Sequence, residues 1–170
     1  IGYFPSSPGF HIGINVAASH FRNAVLIQDL NRLWFSANPR QQLVIELTER
    51  DALLDADYRI VRELHRKGVK LAIDDFGTGN SSLSWLEKLH PDVLKIDQSF
   101  TTAIGTDAVN STVTDMIIAL GQRLNIELVA EGVETEEQAR YLRRHGVPVL
   151  QGFFYARPMP LRDFPDWLAG

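Results

Sequence analysis

Six apolar segments of the sequence each end in polar side chains whose types could do chemistry. In chain order these side chains are Asn15, Glu46, Asp74 with Asp75, Lys95 with Asp97, Glu131 and Gln151. An ionisable group beside a buried strand is costly unless it is paired, hydrogen-bonded or bound to a metal. The carboxyl ends of parallel strands meet at one edge of a sheet or barrel, where active sites are built. We therefore expect these side chains to lie around one site.

This set is suited to hard divalent cations. Its candidate ligands offer oxygen atoms, which Mg²⁺ and Mn²⁺ prefer, whereas zinc favours His and Cys; they are Asn15, Glu46, Asp74 and Asp75. Asp74 and Asp75 can both face the site if the backbone bends at the strand end. Two ions about 3.5–4 Å apart would hold a phosphoryl group and activate a water. Lys95 would place positive charge beside the transition state, and Glu131 would accept the proton of the water.

Each of these residues also has a structural interpretation when it is taken alone. A single carboxylate at a strand end is more often a helix cap or a surface group. Asp75 before Phe76-Gly77-Thr78-Gly79 could form a turn, and Lys95 could pair with Asp97. Six successive polar strand ends favour the metal site over these separate explanations.

The elements that would position these residues alternate along the chain. Short apolar segments predict strands at His11 to Val16, Leu43 to Leu47, Val69 to Ile73, Val93 to Ile96, Ile126 to Ala130 and Val147 to Leu150. Amphipathic helices are expected at Asp57 to Lys67, Leu83 to Leu89, Val109 to Leu124 and from Thr135 to His145. This order predicts an α/β fold with a parallel sheet and right-handed crossovers.

Six strand–helix units are two fewer than a closed (β/α)8 barrel contains. The sequence therefore favours a barrel whose N-terminal units are missing from these residues, 1–170, which would form one partial domain. An open doubly wound sheet is the competing fold. No GxGxxG or GxxxxGKS loop, which would favour that sheet as a nucleotide-binding fold, occurs in the sequence.

Composition narrows the functional classes further. The 170 residues carry 17 Lys+Arg against 21 Asp+Glu, a formal net charge of −4, which argues against a protein that wraps DNA or RNA. The absence of Cys excludes disulfides, thiolate catalysis and Cys-ligated metal sites. We expect a cytoplasmic domain without membrane contact of its own, with attachment of a longer parent protein to the inner membrane left open.

Several motifs in this order resemble the EAL domains, which are cyclic di-GMP-specific phosphodiesterases. The motifs are NVA at 15–17, ELTE at 46–49, DDFGTGNSSL at 74–83, KID at 95–97, AEGVET at 130–135, QG at 151–152 and RPMP at 157–160. The resemblance implies a modified (β/α)8 barrel, with one antiparallel strand, that hydrolyses cyclic di-GMP to linear pGpG. It implies two Mg²⁺ or Mn²⁺ ions as cofactors, with Ca²⁺ inhibitory.

The resemblance also implies a role for each matching position. Asn15, Glu46, Asp74 and Asp75 match metal ligands, and Lys95, Glu131 and Gln151 match the catalytic residues that hold the water and phosphate, take the proton and orient the water. Asp97, Glu134 and Arg157 match residues near the substrate. Glu49 matches the carboxylate that holds the loop Phe76 to Ser82, including Gly77, Thr78 and Gly79. That loop would couple the metal site to a homodimer formed through Thr106 to Leu120.

The Glu-Ala-Leu segment that names the family would lie before Asn15, and the residues preceding Asn15 leave no room for it. The expectation is the C-terminal portion of such a domain, and we expect the isolated chain to be inactive or to need the missing part. One alternative is therefore a non-catalytic EAL-like module that binds cyclic di-GMP or a protein partner. A different carboxylate-and-lysine metal enzyme on a barrel is a third alternative, which the DDFGTG and KID motifs disfavour.

Overall fold

The computed structural model describes residues 10–37, 40–48, 50, 53, 57–79, 83–106 and 109–169. Its strands are β1 (His11–Asn15), β2 (Gln42–Thr48), β3 (Lys70–Phe76), β4 (Val93–Ile96), β5 (Glu127–Ala130) and β6 (Val149–Leu150). Its α-helices are α1 (Val25–Leu33), α2 (Asp57–Arg66), α3 (Leu83–Leu89), α4 (Gln98–Thr102), α5 (Val109–Leu124), α6 (Glu136–Arg144) and α7 (Phe164–Ala169). Among the described residues, no helix is both long and apolar enough to cross a bilayer.

The six strands form one sheet in the sequential order β1-β2-β3-β4-β5-β6. Every pairing between these strands is parallel, so the antiparallel strand implied by the family resemblance is not one of them. A doubly wound sheet reverses its strand order part of the way along. The sequential order therefore confirms the barrel type of α/β fold, as a half-barrel built from six parallel strands.

Helices α2, α3, α5 and α6 lie where the amphipathic pattern predicts them, to within one residue. The pattern missed α1, α4, α7 and three short 3-10 segments. In α1 the buried residues Leu26, Ile27 and Leu30 form an apolar face, but no glycine or proline marks its boundaries. Helix α4 has only five residues, which is too short for a periodic signal.

The sheet separates two layers of apolar side chains. The larger core lies between the sheet and the helices, and strand β2 contributes Leu43, Ile45 and Leu47 to it. The smaller cluster lies on the other, inner face and consists of Val44, Ala72, Val93 and Val129. Because side chains alternate along a strand, the next inner-face residue of β2 is Glu46. The fold thus directs polar strand-end residues to the inside of the half-barrel.

Asp92 fixes the amino-terminal edge of the sheet, at the end opposite those polar residues. Its Oδ2 accepts hydrogen bonds from the Leu71 amide at 2.8 Å and from His65 Nε2 at 3.1 Å. Burial alone would raise the pKa of the Asp92 carboxyl, but the hydrogen bonds from His65 and Leu71 outweigh it, so that the pKa lies below its ordinary value.

We expect Asp92→Ala to lower the free energy of unfolding by about 1 kcal/mol at pH 7, because two donors lose their acceptor. A carboxyl with a lowered folded-state pKa stabilises the fold above its unfolded pKa, and this stabilisation is lost as the pH falls through the folded-state value. The difference between variant and wild type should therefore shrink on acidification, as measured by urea unfolding at pH 7 and pH 3. Asp29→Ala, which removes an exposed pair with Arg32, is the control and should change little. Equal destabilisation at both pH values would contradict this.

Candidate active site

Four ionisable side chains of the inner face meet at the carboxyl ends of neighbouring strands. Glu46, Asp74 and Lys95 lie on β2, β3 and β4, and Glu131 directly follows β5. The register staggers them, because Glu46 pairs with Ala72, two residues before Asp74, and Lys95 pairs with Val129, two residues before Glu131. The long Lys95 side chain nevertheless reaches all three carboxylates. The sequence predicted that these side chains would lie close together, and in the described part of the chain they do.

Asp74 and Asp75 occupy a bulge in β3. The register shifts between Ile73 and Phe76, so that two residues of β3 face the single residue Lys95 of β4. Asp75 adopts a positive φ of 54°, and its amide donates to Asp74 Oδ1 at 3.0 Å. A bulge breaks the alternation of side chains, which allows adjacent carboxylates to face one site. The predicted bend at this strand end is therefore present.

Lys95 is the centre of the cluster. Its Nζ lies 2.7 Å from Glu46 Oε2, 3.0 Å from Asp74 Oδ1 and 2.8 Å from Glu131 Oε1, and its side chain is only 8% exposed. Burial would lower the pKa of the Lys95 ammonium, but hydrogen bonds to Glu131 and Glu46 outweigh burial and raise it well above its ordinary value. Lys95 therefore places one positive charge among three carboxylates.

Asp97 does not form the pair with Lys95 that was one interpretation of the sequence. Its side chain instead caps helix α4, where Oδ1 accepts from the Ser99 amide at 2.9 Å and from the Ser99 hydroxyl. Among the described residues, the ion-pair partners of Lys95 are the three carboxylates given above.

Two carboxyls of the site have raised pKa values. Burial raises the pKa of Glu131, and the nearby Asp74 and Glu46 charges raise it further against the opposing effect of Lys95. Burial also raises the pKa of Asp75, followed by the charges of Asp74 and Asp97. These shifts reflect burial first and the crowding of negative charge second, and a bound cation would relieve the crowding.

The donor set fits a hard divalent metal. One carboxylate oxygen from each of Asp74, Asp75 and Glu131 lies within 4.8 Å of the others. Glu46 is not one of these three, but its Oε2 lies 2.7 Å from Lys95 Nζ, which also contacts Asp74 and Glu131. All of these donors are oxygen atoms, which favours Mg²⁺, Mn²⁺ or Ca²⁺ over zinc.

Asn15 and Gln151 lie at the sides of this cluster. Asn15 is the register partner of Glu46, and the Val16 amide donates to the Glu46 carbonyl at 3.0 Å. The Gln151 amide donates to the Ala130 carbonyl at 2.8 Å, directly before Glu131. Both side chains are exposed at the carboxyl end of the sheet, where the sequence predicts them.

A cavity of about 330 Å³ opens beside the carboxylates. It is lined by Asp75, Asp97, Gln98, Glu131, Gly132, Glu134, Gln151, Gly152 and Phe153. Arg157 is not among these residues, but its guanidinium lies 4.5 Å from the ring centre of Phe153. The sequence analysis assigned no role to Gln98, Gly132, Gly152 or Phe153. The first three directly follow Asp97, Glu131 and Gln151, and Phe153 follows the QG motif.

Helix α6 fixes one wall of this cavity. Gln138 Oε1 accepts from the Glu134 amide at 2.8 Å and from the Thr135 amide at 3.0 Å, and Thr135 Oγ1 accepts from the Gln138 amide. This capping box holds the segment between Glu131 and α6.

The loop after β3 contacts helices α4 and α5. Gly77 has a φ of 97°, and a Cβ atom there would lie 2.7 Å from the Phe100 ring and 3.0 Å from Ile117 Cδ1. Thr78 Oγ1 donates to the Asp75 carbonyl at 2.9 Å, and Phe76 is buried. Gly79 is described and exposed, whereas Glu49 and residues 80–82 lie outside the described residues.

Comparison with known proteins shows which family the sequence is similar to. The sequence model of one family, described as the EAL domain, matches residues 4–158. The probable cyclic di-GMP phosphodiesterase PdeD of Escherichia coli K12 is 80% identical over 167 residues, which are 98% of this chain and 31% of that protein. The chain spans about a third of the length of the first curated relatives that it matches.

Solved structures agree in fold. A PaMucR phosphodiesterase complex with c-di-GMP superimposes with a TM-score of 0.80 at 39% identity, over 90% of this chain and 63% of that one. Klebsiella pneumoniae BlrP1, in complexes of cyclic di-GMP with manganese and with calcium, gives a TM-score of 0.76 at 30% identity, over 87% of this chain and 39% of that one.

Proposed function

The chain belongs to the EAL domain family, and on that premise we propose that it hydrolyses cyclic di-GMP to linear pGpG. The observation that carries this proposal is the group of carboxylates around Lys95, which borders a cavity open to a nucleotide. An acidic protein needs cations to hold a phosphodiester. The carboxylates at the strand ends supply the place for them.

We assign Asn15, Glu46, Asp74 and Asp75 as the residues that hold two Mg²⁺ or Mn²⁺ ions. When bound, such ions polarise the phosphate and make a water more acidic. The bulge supports this assignment, because it allows Asp74 and Asp75 to serve the same site. Ca²⁺ should bind and inhibit, because its longer and more flexible coordination is a poor match for the transition state.

Glu131 is the proposed general base, with Gln151 orienting the water. Glu131 lies beside both Asp74 and Lys95, and burial raises its pKa, which makes its carboxylate more basic than that of a free glutamate. It takes a proton from the water as the new P–O bond forms. The P–O3′ bond breaks and the leaving oxygen takes up a proton from solvent, so that the product carries a 5′-phosphate and a 3′-hydroxyl.

Lys95 stabilises the charge that develops on the phosphoryl oxygens. Three contacts to carboxylates hold its ammonium in place, and its raised pKa keeps it charged. A fixed charge costs no reorganisation during the reaction.

The nucleotide bases would lie in the cavity beyond the carboxylates. Asp97 and Glu134 line it, and their carboxylates can accept hydrogen bonds from the N1–H and 2-amino groups of guanine. Arg157 adds a positive charge near the rim, above the exposed ring of Phe153. These three residues are the proposed substrate contacts.

A homodimer through the surface of α5 would link the partner subunit to the site. Gly77 packs against Phe100 and Ile117, so a displacement of α5 is transmitted to the loop after Asp75. Met116 on the same helix is 66% exposed and offers apolar surface for a partner. Glu49 is proposed to hold this loop, as the family resemblance implies.

Turnover of cyclic di-GMP tests the proposal. The protein, with any residues that flank this chain retained, should convert cyclic di-GMP to pGpG with Mg²⁺ or Mn²⁺ and should bind it without turnover in Ca²⁺. Chromatography separates the two nucleotides, and Asp74→Ala is the inactive control. Binding without turnover under every metal condition would contradict the proposal and favour a non-catalytic binding module.

A further inference from the structure

We propose that Gly13 is a positioning residue that sets where the Glu46 carboxylate lies in the metal site. The inference rests on the proposed function, because it concerns a proposed metal ligand. It adds to that proposed site a residue whose side chain has no functional group.

Gly13 lies on the inner face of β1, beside the side chain of Glu46. The strand register pairs Gly13 with Val44 and Asn15 with Glu46, so Glu46 lies diagonally across from Gly13. A Cβ atom at position 13 would overlap Glu46 Oε1 and would lie 3.0 Å from its Cδ. One carboxylate oxygen thus occupies the space that the missing side chain leaves, while Oε2 contacts Lys95 at 2.7 Å.

The backbone does not require a glycine at this position. Gly13 is not among the residues with positive φ, and it forms regular parallel ladder pairs. Glycine inside a strand weakens it and often marks a close approach of another group. Here the approaching group is the Glu46 carboxylate, and we infer that the glycine is there to accommodate it.

A methyl group at position 13 would move Glu46 rather than unfold the protein. The overlap is with the end of a flexible side chain, which can rotate away at small cost to the fold. Rotation would turn the carboxylate from the position it shares with Lys95. The effect should therefore appear in metal affinity and not in stability.

Gly13→Ala should weaken Mn²⁺ binding by about 10- to 100-fold, the loss typical when a residue that orients a metal ligand is changed. The affinity is measured by electron paramagnetic resonance of free Mn²⁺ on the intact protein. The melting temperature without metal should stay within about 2 °C of wild type. His11→Ala, on the same face of β1 but two residues away, is the matched control and should bind Mn²⁺ as the wild type does.

A double-mutant cycle identifies the partner. In a Glu46→Ala background, Gly13→Ala should cause no further loss of Mn²⁺ affinity, because the group that it displaces is gone. If the single variant does not fold, the double variant should, since the overlapping atoms are absent. Unchanged Mn²⁺ affinity in Gly13→Ala, equal losses in both backgrounds, or a double variant that also fails to fold would overturn the inference. A wild type that binds no Mn²⁺ would overturn the proposed function as well.

Discussion

Glu131→Gln should reduce turnover of cyclic di-GMP by about 10²- to 10⁴-fold, the usual contribution of a general base. Glutamine keeps the size of the side chain and can still accept a hydrogen bond from Lys95, but it cannot take a proton from water at neutral pH. Affinity for the nucleotide should stay within a few-fold of wild type, since Glu131 is not needed to hold the bases. Single-turnover kinetics and equilibrium binding in Ca²⁺ separate the two effects.

Glu127→Gln is the matched control for this experiment. Glu127 begins β5, the strand that Glu131 follows, and lies at the opposite end of the half-barrel, where it pairs with Lys70 at 3.0 Å. Its substitution should leave turnover near the wild-type rate. A Glu131→Gln variant that kept more than a tenth of the wild-type rate would show that another group accepts the proton.

Lys95→Ala should have two large effects of different origin. Turnover should fall by about 10²- to 10³-fold, because a preorganised charge beside the phosphoryl oxygens is lost. Without metal, the free energy of unfolding at pH 7 should fall by about 3 kcal/mol, because the variant leaves three partly buried carboxylates without their cation. Saturating Mn²⁺ should recover much of the lost stability, because it supplies positive charge to the same carboxylates.

Lys70→Ala provides the comparison, since its pair with Glu127 is far more exposed to solvent. We expect that substitution to lower the free energy of unfolding by at most about 1 kcal/mol and to leave turnover unchanged. Thermal unfolding with and without Mn²⁺ measures both variants. Stability of Lys95→Ala that equals wild type without metal, or turnover that is unchanged, would contradict the role assigned to Lys95.

Sequence reasoning identified the strands and the polar residues that end them because buried parallel strands leave a simple pattern. The continuous apolar segments gave strand positions, and two adjacent aspartates at a strand end suggested the bend that the bulge at Asp74 and Asp75 provides. The family motifs supplied the roles that a pattern of polar strand ends leaves open.

Other features depend on distances between strands, which a linear sequence does not contain. That Lys95 contacts Glu46, Asp74 and Glu131 together follows from the register of four strands and the bulge between two of them. A pair between Lys95 and Asp97 was equally compatible with the sequence. The structure excludes it because the Asp97 side chain caps α4, a helix that the sequence pattern did not predict. Gly13 looked like an ordinary strand residue for the same reason.

The central claim is that the strand-end carboxylates hold divalent ions where the phosphodiester is cut. Anomalous diffraction at the manganese edge, from crystals of the protein with Mn²⁺ and cyclic di-GMP, tests it most directly. The account predicts manganese peaks among the oxygens of Glu46, Asp74 and Asp75, with a phosphate of the nucleotide beside them. Bound nucleotide whose phosphates lie away from these residues, with no manganese peak among them, would contradict the account.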